Sequence, residues 1–125
     1  MKKVIFTEKA PAAIGPYSQA IEANGMVFVS GQLPVDPATG EFAPGGVTEQ
    51  TTQSFENIKH ILAEAGLTTA HIVKTTVFLA DMALFADMNA VYAKYFDGDY
   101  PARSAVAVKA LPKGALVEVE CIAVR

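Results

Sequence analysis

The sequence predicts an α+β fold, with one mixed β-sheet carrying two helices on one face. Three observations carry that expectation. Strand-like and helix-like periodicities follow one another as strands, helix, strand, helix, two strands. Each helical stretch has a single apolar stripe, so each buries one side only. The 125 residues, 51% of them hydrophobic, suffice for one core, and a single domain over residues 1–125 is expected.

Lys3 to Phe6 reads as a short first strand. Ala10 to Tyr17, punctuated by proline and glycine, reads as a stiff loop. Ser18 to Glu22 and Met26 to Ser30 flank Asn24-Gly25, the dipeptide that favours a tight hairpin turn. Turn residues fill Asp36 to Val47. A helix starts near Thr48, with Phe55, Ile58, Ile61, Leu62 and Ala65 on one stripe; Gly66 ends it and Leu67 packs back on Leu62. Ile72 to Leu79 is β-branched and aromatic, as in a buried strand. A second helix is capped by Asp81, buries Phe85, Met88, Val91, Tyr92 and Tyr95, and runs to Asp97-Gly98. Ser104 to Val108 and Ala115 to Val124 are the last strands, joined through Leu111 to Gly114. With both helices on one side, the other sheet face lacks a cover, and the chain is rich enough in apolar residues to predict that subunits pack there.

Charge and composition exclude several functions. Net charge is −3 and the ten Lys and Arg are scattered, so a phosphate backbone finds no footprint and no nucleic-acid partner is expected. The single cysteine, Cys121, forbids an internal disulfide. His60 and His71 stand without metal-ligand spacing, so no metal is expected. Val4-Ile5-Phe6 is too short for a signal h-region, and no apolar run spans a bilayer; a cytoplasmic protein without membrane contact is expected.

Ionisable groups in apolar strands mark the candidate site. In Pro101-Ala102-Arg103-Ser104 the proline places Arg103 at the entry of its strand, beside a loop. Alternation along the last strand puts Glu118 and Glu120 on the same face as Leu116, Ile122 and Val124. A buried charge needs a partner or a ligand, so Arg103 either pairs with an acid such as Glu118 or awaits a carboxylate, which a guanidinium binds through two parallel bonds. Gly31, after Ser30 at a strand end, allows close approach to the backbone. Ser30 lacks the setting of a hydrolase nucleophile. Tyr17, Asn89 and Ser104 are neutral groups suited to orient a polar ligand.

Ala10-Pro11-Ala12-Ala13-Ile14-Gly15-Pro16-Tyr17-Ser18-Gln19, Val29-Ser30-Gly31-Gln32, Val73-Lys74-Thr75-Thr76-Val77-Phe78-Leu79, Pro101-Ala102-Arg103-Ser104 and Val117-Glu118-Val119-Glu120 together resemble the RidA (YjgF) family of reactive-intermediate deaminases, in order and nearly end to end. The resemblance implies a chorismate-mutase-like fold in which the last strand inserts between earlier ones. It also implies a homotrimer with clefts between subunits, and hydrolysis of 2-imino acids or their enamines to 2-keto acids and ammonia without a cofactor. It implies Arg103 as carboxylate clamp and Glu118 as the group that activates water. Tyr17, Ser30, Gly31 and Asn89 would line the pocket, with the backbone of Ala105, an alanine where many bacterial relatives carry cysteine. Glu120 receives no catalytic role. A small-carboxylate binder without turnover is the alternative, and an RNA-cleaving translation inhibitor a third reading that the charge disfavours.

Overall fold

A computed structural model describes all residues, 1–125, in the order β1 (Lys3–Ile5), β2 (Ala20–Ala23), β3 (Met26–Gln32), α1 (Val47–Glu64), β4 (Ile72–Leu79), α2 (Phe85–Ala93), β5 (Ala102–Ala107) and β6 (Val117–Val124). The turn between β2 and β3 has both Asn24 and Gly25 at positive φ, 52° and 74°, the paired left-handed conformation that matches strand twist. Helix α1 ends as its sequence requires: Gly66 adopts φ 75° and Leu67 N–H donates back to the Leu62 carbonyl at 2.8 Å.

Several boundaries differ from expectation: β2 is Ala20–Ala23, β5 begins at Ala102 and takes in Arg103, β6 begins at Val117, and both ends of the second helix move. Asp81 caps a 3-10 turn, Met82–Leu84, that leads into α2, accepting from the Ala83 amide at 2.8 Å. Helix α2 stops at Ala93, before Asp97-Gly98, because Tyr95 and Phe96 leave the helical path to pack on Phe55, with ring centroids 4.7 and 6.2 Å away.

The sheet order is β1-β2-β3-β6-β4-β5, so β6 does insert between β3 and β4. β4 and β5 are parallel; the other neighbours are antiparallel. Val27, Val29, Val77, Leu79, Val117, Val119, Cys121 and Ala123 point to the helix side and join Phe55, Ile58, Ile61, Leu62, Met88 and Tyr92 in one core. The opposite face is uncovered in the chain: Phe28, Val106 and Val124 are 42%, 46% and 39% exposed. No helix is long and apolar enough to cross a membrane.

Candidate active site

Arg103 lies on edge strand β5 directly opposite Thr75 of β4, and so shares the helix-side face on which Thr75 is buried. Helix α2 meets it there with Phe85, Asn89 and Tyr92, whose i, i+4, i+7 spacing puts all three on one side of the helix. Arg103 Nη1 donates to Asn89 Oδ1 at 2.6 Å, and its guanidinium carbon sits 4.6 Å from the Tyr92 ring centre and 5.4 Å from that of Phe85. The chain's two ion pairs, Lys59–Glu56 and Arg125–Glu22, are elsewhere. Arg103 is therefore not one half of a structural ion pair with Glu118. A neutral amide and two rings hold a cation whose remaining N–H groups are available to an anion.

Glu118 lies opposite Phe78 on β6. Phe78 is three positions beyond Thr75, so Glu118 and Arg103 occupy opposite faces of the sheet. The two residues expected to form one site do not converge within a chain.

What surrounds Glu118 instead is a cavity of about 1150 Å³ that includes Tyr17, Ser30, Gly31 and Glu120 in its wall, together with Phe6, Ile14 and Lys113. A β-bulge builds its floor. Val29 pairs with Cys121 and Gln32 with Val119, so Ser30 and Gly31 together oppose the single residue Glu120. The Ser30 hydroxyl donates to the Ser18 carbonyl at 2.6 Å, which occupies its proton and removes it as a nucleophile. Gly31 makes room for a side chain: a Cβ there would come within 2.6 Å of Glu118 Oε2.

Burial holds the Glu118 carboxyl above the ordinary carboxylate range, and the nearby charge of Glu120 adds to that. Periodicity left the two acids equivalent; the structure separates them, with Glu118 half-buried against Gly31 and Glu120 exposed. Tyr17 is exposed at the rim of the cavity. Asn89 is on the Arg103 side, where it holds the guanidinium, and Ala105, opposite Val77 on β5, is also on that side. His71 accepts from the Thr68 amide at 3.1 Å in a local turn.

Three buried amides that pattern reading passed over set the walls. Gln19 accepts from Thr7 N–H and donates to the carbonyls of Thr7, Ala10 and Pro11, tying down the loop that leads to Tyr17. Asn57 donates to the carbonyls of Leu33 and Val35, and Gln50 accepts from the Leu116 amide just before β6. The available signal was polar residues inside the apolar stripe of α1, where Gln50 and Asn57 are buried beside Ile58 and Ile61.

A family model described as Endoribonuclease L-PSP matches residues 7–125. A RutC family protein of Pyrococcus horikoshii is 55% identical over 98% of both chains. The mouse protein named 2-iminobutanoate/2-iminopropanoate deaminase is 50% identical over 100% of this chain and 93% of its own. Among solved structures, YyfA of Yersinia pestis, of the conserved Rid protein family, superposes with a TM-score of 0.97 at 50% identity and complete coverage of both chains. E. coli TdcF with bound serine superposes at 0.94 with 49% identity, covering 98% of both chains.

Proposed function

Because the chain belongs to the RidA (YjgF) family, we propose that it hydrolyses small 2-imino acids such as 2-iminobutanoate and 2-iminopropanoate to 2-keto acids and ammonia, at sites shared between subunits of a homotrimer. The observation that carries this reading is a pair of complementary half-sites. One sheet face presents an oriented guanidinium without a carboxylate, and the other presents a half-buried carboxylate in an open cavity. A second copy supplying Arg103 at the rim of the Glu118 cavity completes a pocket for a substrate that has its own carboxylate beside an electrophilic carbon. The name of the mouse relative and the serine bound to TdcF fit a small amino- or imino-acid ligand.

The chemistry follows from those groups. Arg103 binds the substrate carboxylate through its free N–H donors, orienting the imine carbon toward Glu118. Glu118 takes a proton as water adds to that carbon, giving a carbinolamine. That proton passes to the nitrogen; Glu118 then takes the hydroxyl proton of the carbinolamine and delivers it to the same nitrogen as the C–N bond breaks with its electron pair leaving on ammonia and the C=O bond forms. One imine and one water become one keto acid and one ammonia, and Glu118 returns to its starting state. A carboxyl held above its ordinary range is a stronger proton acceptor than an exposed one, which suits the first half of this exchange. The description endoribonuclease is not carried over, since a net charge of −3 offers RNA no electrostatic footprint.

The test is direct. Imine generated in place by a threonine or serine dehydratase is consumed faster with the protein than without it, followed as keto acid formed. Binding of 2-ketobutanoate with imine hydrolysis at the spontaneous rate would instead establish a carboxylate-binding protein without turnover.

A further inference from the structure

We propose that Tyr92 is a positioning residue for the Arg103 clamp, its ring, anchored by Thr75, fixing the plane in which the guanidinium meets a carboxylate. The inference rests on the reading of Arg103 as that clamp. Thr75 and Arg103 stand side by side in register on β4 and β5, and Tyr92 reaches both from α2. Its hydroxyl lies 2.7 Å from Thr75 Oγ1 and its ring centre 4.6 Å from the Arg103 guanidinium carbon.

The ring is itself immobilised. It is 4% exposed, met edge-on by Phe55 at 5.4 Å and at a tilt by Phe96 at 5.0 Å. Burial raises the phenol above its ordinary range, so the ring remains neutral and does not become a counter-ion to Arg103.

The guanidinium needs such a surface. Asn89 accepts from one nitrogen, Nη1, and a single bond leaves the plane of the fork free to turn about it. Bidentate recognition of a carboxylate requires that plane to be set, and an aromatic face sets it while leaving the outward N–H groups unoccupied. Tyrosine suits the position better than phenylalanine because Thr75 is fully buried and its hydroxyl needs a partner.

Two series test this in the whole 125-residue chain, with 2-ketobutanoate as the probe. In the first, Tyr92→Phe is followed by ring-fluorinated phenylalanines at the same position, which keep the shape and drain the ring face of negative charge. Calorimetric Kd rises stepwise with fluorination, by roughly fivefold to thirtyfold in all, while the melting temperature does not fall in step. A constant Kd across that series, with Arg103→Ala abolishing binding, overturns the positioning role and leaves the clamp standing. Arg103→Ala binding as the wild type overturns the clamp and this inference with it.

The second series is Thr75→Val, which keeps shape and burial and removes the anchor. KM for the imine rises severalfold at nearly unchanged kcat, the pattern of lost uniform binding. KM and kcat both unchanged in Thr75→Val overturn the proposal.

Discussion

Arg103 carries its charge beside Asn89 and two rings instead of an acid, so removing it leaves no orphaned partner carboxylate in the chain. Arg103→Ala is therefore expected to fold, with 2-ketobutanoate binding by calorimetry weakened at least ~100-fold, from the loss of two charge-assisted bonds worth about 1.5–3 kcal/mol each. Glu118→Gln lowers kcat by ~10² to 10⁴, the usual contribution of a positioned base. In the wild type, activity on the acid side falls to half at a pH above the ordinary 4.5, because the raised carboxyl loses its charge sooner than an exposed one. The same shift fixes the sign for stability. The folded chain favours the neutral acid, so Glu118→Gln melts higher than the wild type above the raised pKa, and the difference closes below pH 4.5, where both folded and unfolded states are protonated. At Gly31 the obstructing atoms belong to the flexible Glu118 side chain. Gly31→Ala is accordingly expected to melt close to the wild type while losing most activity, as Glu118 is pushed aside.

The strands and helices were legible wherever local chemistry decides. The β-branched run Ile72–Leu79 is β4 to the residue, and Asn24-Gly25 and Gly66 adopt the positive φ their types favour. Arg103 and Glu118 stood out as candidates for the same reason, being charges in apolar strands. Their relative placement was not legible. Alternation assigns faces within one strand, but whether two strands agree depends on register, here Thr75 opposite Arg103 and Phe78 opposite Glu118. The wall-setting amides were missed because a glutamine reads as surface until its partners are known. Gln19 makes four hydrogen bonds to the loop from Thr7 to Pro11. With net values of about 0.5–1.5 kcal/mol per bond, Gln19→Ala is expected to lower the unfolding free energy by about 2–6 kcal/mol in denaturant titration. Cys121, on the helix face of β6, has its thiol pushed up to about 12 by burial. A thiol reagent at pH 8 should label none of it in the native protein and one equivalent after denaturation.

At the scale of the molecule, one sheet face is packed by helices and the other is open, with Phe28, Val106 and Val124 exposed. Arg103 and Glu118 lie on opposite faces of the sheet, so the proposed site needs two chains to bring them together. Subunit mixing tests that claim most directly. Arg103→Ala and Glu118→Gln should each be nearly inactive alone, but an interface that takes Arg103 from a Glu118→Gln chain and Glu118 from an Arg103→Ala chain would be intact. Denaturing the two variants together at equal amounts and refolding them should restore about a quarter of wild-type imine hydrolysis, since one in four random pairings at a head-to-tail interface carries both groups. Activity that stays at the spontaneous rate in the mixture, with wild type recovering fully under the same treatment, would contradict a site shared between subunits.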